Sequence, residues 1–165
     1  MASPEPVVFT PIGLIRSPFR NVEDMPIQPA GAHDVLGAAE LSPEYAPALA
    51  DLEGFSHLIL LYHFHRAKPY APTVTPFLDK TPHGLFATRA PARPNPIGLS
   101  VVELLAVEGS VLRLRGVDIL DGTPLIDIKP CVPAFDAPQG EVRTGWLEGC
   151  AKRTAAARSD DRFKG

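Results

Sequence analysis

The sequence has few of the features that are typical of disulfide-rich, membrane-spanning or strongly basic nucleic-acid-binding proteins. Only Cys131 and Cys150 occur in 165 residues, so we expect no disulfide framework and place the chain in a reducing cytoplasm. No apolar run is long enough to span a membrane, and the first residues, MASPEP, do not form a signal peptide. The formal net charge of −3 argues against a broad basic surface but leaves room for a local basic patch.

The composition predicts one soluble globular domain with few helices. Hydrophobic residues make up 45% of the chain and charged residues 21%, which is typical of soluble domains. The nineteen prolines argue against a helical bundle. We expect a single domain over 1–165, with its core in about 7–133 and a C-terminal helix and tail in 140–165.

Short apolar and β-branched runs predict at least six strands. They occupy 7–15, 55–64, 84–88, 99–107, 111–117 and 124–128. Residues 21–34 are predicted to form a loop, a short helix is expected over 45–52 after Ser42 and Pro43, and another over 144–157. No GxGxxG motif follows a strand. The pattern therefore predicts a mainly β fold, a single antiparallel sheet closed into a barrel with one or two peripheral helices.

The most unusual stretch is FATRAPARPNPIGLSVV at 86–102. Three prolines stiffen it, and each of them removes a backbone donor. Arg89 and Arg93 can grip a carboxylate or phosphate through two parallel hydrogen bonds, and Asn95 offers an amide with both donor and acceptor character. A stiff loop loses less entropy when it orders around a ligand, so this stretch is the predicted binding loop.

Two further segments carry candidate contacts. Gln28 lies in a loop with Pro29 and Ala30, where small residues let a ligand approach the backbone. His57, His63 and His65 alternate along the strand predicted at 55–64 and would share one face if it continued unbroken. Because no carboxylate follows nearby, we expect no metal there, and His65-Arg66 at the strand end suits a ligand contact better.

Four blocks of sequence resemble the TsaA-like (TrmO) family. They read PIGLIRSPF at 11–19, LEGFSHLILLYHFHR at 52–66, GLFATRAPARPNPIGLSVVEL at 84–104 and GVDILDGTPLIDIKP at 116–130. Bacterial members of this family are S-adenosylmethionine-dependent tRNA methyltransferases. The resemblance implies a homodimeric barrel that methylates the N6 nitrogen of threonylcarbamoyladenosine at position 37 of tRNA.

The resemblance also implies the cofactor contacts. Mapped onto this chain, they are Gln28, Pro29, Ala30, His65, Arg66, Arg89, Leu99, Arg115, Gly116, Val117 and Asp118. Asp118 is expected to bind a ribose hydroxyl or the ammonium group, Arg89 the carboxylate, and the backbone of Gly116 and Val117 the adenine edge. Two catalytic roles are our own interpretation: Asn95 aims the attacking nitrogen, and Arg93 holds the threonyl carboxylate or a phosphate.

Two other functions stay open from the sequence. Ala90 and Cys131 stand where the family commonly has serine and tyrosine, and the chain ends soon after the barrel, whereas longer members carry an extra domain. These departures favour a non-catalytic regulatory barrel that binds S-adenosylmethionine. His63 and His65 alone suggest a metal-dependent barrel of cupin type.

Overall fold

The computed structural model describes residues 5–26, 29–77 and 79–148, and eight strands lie within them. The strands are β1 (Gly13–Arg16), β2 (Leu36–Leu41), β3 (His57–His63), β4 (Thr73–Val74), β5 (His83–Gly84), β6 (Ile97–Glu108), β7 (Val111–Arg115) and β8 (Thr123–Pro130). Six of them close into one barrel in the order β1-β2-β7-β6-β3-β8, and every pairing is antiparallel. The predicted antiparallel barrel is therefore confirmed.

Alternation of side chains along each strand fills the barrel. On β3, Leu58, Leu60 and Tyr62 point inward and are at most 5% exposed. On β7, Leu112 and Leu114 are buried, as the alternating VLRLR pattern predicts. The turn between β6 and β7 forms a hairpin, in which Gly109 takes a φ of 63° that residues with a side chain rarely adopt.

The first strand is shorter than the sequence predicts, and the sequence pattern does not reveal the second. A strand is predicted over 7–15, but β1 begins only at Gly13, and Val7 and Val8 are 76% and 88% exposed. Pro11 lacks the N–H that would extend the ladder. The strand β2 has the sequence LGAAEL, which carries little β propensity, so only its pairing between β1 and β7 reveals it.

Within residues 5–26, 29–77 and 79–148, helical structure is scarce and mostly of the tight 3₁₀ type. The predicted helix after Ser42 is a 3₁₀ helix, Pro43–Leu49, because Pro47 inside it cannot donate a backbone hydrogen bond. One α-helix, α1 (Pro133–Asp136), lies among the described residues. The other 3₁₀ helices are Val22–Asp24, Pro29–Ala32, Leu52–Gly54, Leu85–Ala87 and Gly145–Leu147. Of the helix predicted over 144–157, residues 149–157 lie outside the described residues.

The outer surface of the barrel differs from side to side. Where β7 pairs with the second half of β6 it is charged, with ion pairs such as Arg113 to Glu108 at 2.8 Å. On the first half of β6 and the facing part of β3 it is apolar: Ile97, Leu99 and Val101 are 40%, 49% and 38% exposed, and the last two stand opposite Leu61 and Ile59. None of the helices in the part of the chain that is described has the length and apolarity to cross a membrane.

Candidate functional site

A cleft of about 620 Å³ opens where β3 ends and β6 begins. Its walls come from these two strand ends, the connection between β7 and β8, the loop at 86–93 and the residues around Trp146. Six of the residues predicted from the sequence line it: His65, Arg66, Arg89, Arg93, Leu99 and Asp118. The topology thus brings together side chains that are up to 53 positions apart in the sequence, from His65 to Asp118.

Asp118 is a buried carboxylate in the cleft wall, only 8% exposed. The Ser100 hydroxyl donates to its Oδ1 at 2.7 Å, and the Tyr62 hydroxyl lies 3.0 Å from Ser100 Oγ. Because Ser100 has a single proton and gives it to Asp118, Tyr62 donates to Ser100. Burial raises the pKa of Asp118 to about 6, against the opposing effects of the Ser100 hydrogen bond, its own backbone and the positive charge of Arg89.

The Tyr62 ring reaches this network because its strand partner is a glycine. Tyr62 on β3 pairs with Gly98 on β6. A Cβ atom at position 98 would overlap Cε2 of the Tyr62 ring, far inside contact distance. Gly98 therefore lets the ring lie flat against β6 with its hydroxyl at Ser100. Burial also raises the pKa of Tyr62, so its hydroxyl stays protonated.

Arg93 and Arg89 differ sharply although they belong to the same loop. Arg93 Nη1 donates to the carbonyl oxygens of Thr88 and Ala90 at 3.0 and 3.2 Å, and its guanidinium lies 5.4 Å from the Phe86 ring centre. Arg89 is exposed, lines the cleft, and has no hydrogen-bond or ion-pair partner among the described residues. Arg93 thus braces the loop, whereas Arg89 presents its charge to the cleft.

The rim of the cleft is basic in a protein whose net charge is −3. Among the described residues, its lining includes His65, Arg66, Arg89 and Arg93 against the single acid Asp118. The pKa of His65 is lowered, mainly by partial burial and then by the charges of Arg66 and His63, so at neutral pH this histidine is largely uncharged. The three arginines alone make the rim positive.

Several predicted contacts lie away from the cleft. Asn95 is exposed, and within the described part of the chain only its backbone carbonyl is engaged, by the N–H of Ile97 at 2.8 Å. Arg115 pairs with Glu103 at 3.1 Å on the outer surface. The N–H groups of Gly116 and Val117 both donate to the carbonyl of Val35, so neither N–H remains available for an adenine edge.

The loop that contains Gln28 is only partly described. Gln28 lies outside the described residues, and Pro29 and Ala30 begin the 3₁₀ helix Pro29–Ala32. Because neighbouring Met25 and Pro26 line the cleft, the loop begins at its edge. The roles assigned to these residues, and to Asn95, Arg115, Gly116 and Val117, stay predictions.

Of the three histidines, His57 and His63 share a face, whereas His65 does not join them because β3 ends at His63. His57 and His63 point outward at the two ends of β3, and His65 lies beyond the strand in the cleft wall. Within the described part of the chain, no three His, Cys, Asp or Glu side chains are grouped so as to hold a metal ion. Cys131, whose N–H donates to the His57 carbonyl, lies at the end of β3 away from the cleft.

Sequence reasoning missed three residues of the site: Tyr62, Ser100 and Trp146. Tyr62 and Ser100 sit inside apolar strands and look like ordinary core positions. Only the β3–β6 register places both next to Asp118. The pattern around Trp146 favours the anchor of a C-terminal helix, but this residue lies in the cleft wall. A polar side chain on an inward position of a strand is the one signal that could have indicated Ser100.

Three comparisons with known proteins identify relatives of this chain. The family model described as tRNA-methyltransferase O N-terminal domain matches residues 14–137. A probable S-adenosyl-L-methionine-binding protein of Pyrococcus abyssi is 53% identical over 163 residues, which is 99% of this chain and 88% of that protein. The tRNA (adenine(37)-N6)-methyltransferase of Escherichia coli is 42% identical over 135 residues, or 76% of this chain and 57% of that enzyme.

A solved structure extends the likeness to three dimensions. The crystal structure of TrmO from Pseudomonas aeruginosa matches with a TM-score of 0.72 and 42% identity, covering 86% of this chain and 63% of that one. This chain thus spans less than two thirds of the length of the E. coli enzyme and of the P. aeruginosa structure. The family match covers well over half of the chain, from β1 to α1, so this protein belongs to the family of the tRNA-methyltransferase O N-terminal domain.

Proposed function

We propose that this protein is an S-adenosylmethionine-dependent methyltransferase that methylates the N6 nitrogen of threonylcarbamoyladenosine at position 37 of tRNA in the cytoplasm. The observation that carries the proposal is a pair of opposite charges in one cleft. These are the buried carboxylate of Asp118 and the guanidinium of Arg89, which no described residue pairs. The names of the relatives support the cofactor and the N6 nitrogen of adenine 37 in tRNA.

The cleft fits the charge pattern of S-adenosylmethionine. The cofactor carries an ammonium, a carboxylate and a sulfonium, so it needs a negatively and a positively charged group within one pocket. Asp118 supplies the negative charge and Arg89 the positive charge, while Phe64, Phe86 and Leu99 offer apolar surface to the adenine ring. When bound, the cofactor supplies a methyl group already activated by its positive sulfur.

The protein itself then has to orient the substrate nitrogen and to exclude water from the cleft. The N6 nitrogen is a weak nucleophile because its lone pair is delocalised, so its approach must be held in line with the methyl group. Asn95 stands exposed in the loop that follows Arg93, outside the cleft lining, where its amide would meet the substrate base. Arg66 and Arg93 give the rim the charge that a phosphate backbone or a threonyl carboxylate requires.

We also infer a homodimer that brings the partner close to the cleft. The outward residues in the first half of β6 and the facing Ile59 and Leu61 of β3 form an apolar face, in contrast to the ion pairs where β6 meets β7. Ile97 and Leu99 belong both to this face and to the cleft lining. A contiguous exposed apolar face is a frequent mark of an interface, so a second copy covering it would border the site.

The decisive experiment incubates the purified protein with S-adenosylmethionine and threonylcarbamoyl-modified tRNA, followed by mass spectrometry of the nucleosides. We expect a methylated product from the wild type. Arg89→Ala should weaken cofactor binding by about 1.5–3 kcal/mol, the value of charge-assisted hydrogen bonds. Arg113→Ala is the matched control, because Arg113 pairs with Glu108 on the outer surface, and it should bind as the wild type does.

The second candidate is a protein that binds S-adenosylmethionine without transferring the methyl group. It is favoured by the P. abyssi relative, which is named only as a binding protein and is matched over nearly its full length. Saturable binding in calorimetry together with no methylated nucleoside on any modified tRNA would establish it. Absence of binding at millimolar cofactor would contradict both functions.

A further inference from the structure

The residues that follow the matched family domain fold back onto the cleft. The family match ends at 137, yet residues 142–148, here called the C-terminal segment, contain the 3₁₀ helix Gly145–Leu147. Trp146 and Leu147 line the cleft beside Ala87 and Thr88. Part of the wall of the site thus comes from sequence outside the domain that the family shares.

Trp146 joins this segment to the binding loop by a hydrogen bond and to the rest of the chain by a ring contact. Its indole Nε1 donates to the Ala87 carbonyl at 2.8 Å. Its ring stacks on His83, with centroids 4.6 Å apart and planes 17° from parallel. His83 in turn is held by Asp79, whose Oδ2 lies 2.8 Å from His83 Nε2.

Asp79 is itself held by the backbone and fixes the orientation of His83. Its Oδ1 accepts the backbone N–H groups of Lys80 and Thr81 at 2.6 and 3.2 Å. The His83 hydrogen bond, followed by these two, lowers the pKa of Asp79, so the carboxylate is ionised at neutral pH. The Trp146 ring therefore rests on a histidine whose orientation is set by a charged group.

Three carbonyls around Arg89 are each held by a donor from outside their own peptide. Trp146 binds the carbonyl of Ala87, and Arg93 binds those of Thr88 and Ala90. With the backbone fixed before and after residue 89, the Arg89 side chain projects into the cleft from a rigid base. A base ordered in advance reduces the entropy lost when a ligand binds.

We propose that Trp146 is a positioning residue that sets the affinity for the anionic end of the cofactor by fixing the backbone beneath Arg89. This proposal rests on the function proposed above for the cofactor side. It assigns the C-terminal segment a direct part in binding, in a region that the family domain does not include. The contacts of Asp79, His83 and Trp146 fix the carbonyl of Ala87. Arg93 fixes the carbonyls of Thr88 and Ala90.

The first test needs no cofactor. Trp146→Phe keeps an aromatic ring for His83 but removes the N–H donor. Amide hydrogen exchange should rise over residues 86–90 and stay unchanged in β6. Phe135→Leu is the control, because Phe135 is an exposed aromatic on α1 that does not line the cleft, and it should leave residues 86–90 unaltered. Equal exchange at 86–90 in wild type and Trp146→Phe would overturn the proposal.

The second test measures whether the effect passes through Arg89. Trp146→Phe should raise the Kd for S-adenosylmethionine by roughly threefold to tenfold, as loss of one positioning hydrogen bond implies. In the Arg89→Ala background the same change should have almost no effect. If it raises the Kd equally in both backgrounds, Trp146 acts on the fold in general and the positioning role is refuted. A wild type that binds no cofactor refutes the proposed function, while hydrogen exchange still decides whether Trp146 fixes the loop.

Discussion

Asp118 is a residue in which burial and charge oppose each other. Its carboxylate lies in the barrel wall with the Ser100 hydroxyl as its side-chain donor, and a positive charge, Arg89, acts on it from the cleft. Such a group is costly to ionise without a cation beside it. A ligand with an ammonium or sulfonium would offset that cost, so the burial of Asp118 in the free protein favours binding of a cation.

The raised pKa of Asp118 predicts a pH dependence of stability. The pKa is about 6 in the folded protein against an ordinary 3.8, so the folded state binds this proton more tightly than the unfolded state. The free energy of unfolding should therefore fall as pH rises from about 4 through 6, and the loss should be complete above about 7. Asp118→Asn cannot ionise, and at pH 8 it should be more stable than the wild type by about 1–3 kcal/mol.

Urea unfolding at pH 4 and pH 8 would measure both proteins. At pH 4 the two should nearly agree, because the wild-type carboxyl is then mostly protonated and resembles the amide. A wild-type advantage at pH 8 would mean that Asp118 is stabilised by groups other than those seen here. Ser100→Ala, which removes the donor, should raise the pKa of Asp118 further and widen the difference at pH 8.

At the scale of the element, the β3–β6 pair both closes the barrel and shapes the cleft. The strand β3 pairs with β6 without interruption from His57 to His63. Its inward residues fill the core, and its last inward residue, Tyr62, lies over Gly98 and reaches Ser100. A shift of one strand against the other would therefore change both the packing of the core and the hydrogen bonds that reach Asp118 through Ser100.

Gly98→Ala should damage this pair, while Gly84→Ala should not. The new methyl group at 98 would meet the Tyr62 ring and force it away from β6, at a cost of about 1–3 kcal/mol. A methyl group at 84 would meet no described atom within 4 Å, and Gly84 has an ordinary φ of −57°, so it is a matched control. Thermal unfolding measures the change, and equal melting temperatures for the two variants would contradict the contact.

For the whole molecule, the two sides of the barrel have different surfaces and so different expected neighbours. The ion pairs between β7 and the second half of β6 suit water, whereas the apolar face on the first half of β6 and the facing part of β3 suits another protein surface. The basic cleft rim adjoins the apolar face through Ile97 and Leu99. A dimer formed there would place two basic rims near one interface and give an acidic chain a larger positive surface for RNA.

Val101→Lys should separate such a dimer into monomers. Val101 lies on the apolar face opposite Ile59, and burial of an ammonium there would oppose association. Light scattering at tens of micromolar should give twice 17.7 kDa for the wild type and 17.7 kDa for the variant. Leu36→Lys is the control, since Leu36 is 61% exposed on β2 beside the charged surface, and it should remain dimeric. A monomeric wild type would exclude the dimer.

The barrel and half of the site could be predicted from the sequence because they depend on local pattern. Alternation along VLRLR and the glycine turn at 109 are set by period and by backbone freedom, which neighbouring residues decide. The stiff loop with Arg89 and the strand end with His65 were likewise visible as short polar interruptions of apolar runs. The strand β2 was not, since LGAAEL acquires its pairing only between two other strands.

Tertiary structure alone decided which of the two loop arginines is held by backbone carbonyls and which groups surround Asp118. Arg89 and Arg93 have the same chemistry four positions apart, and only the folded loop shows that Arg93 binds Thr88 and Ala90 while Arg89 stays unpaired among the described residues. Tyr62 meets Ser100 across 38 positions, and Trp146 meets Ala87 across 59. The sequence by itself determined the fold class and the binding loop within 86–102, because both follow from residue patterns within short segments. The charge balance of the site had to await the fold, because hydrogen bonds between distant strands and loops set it.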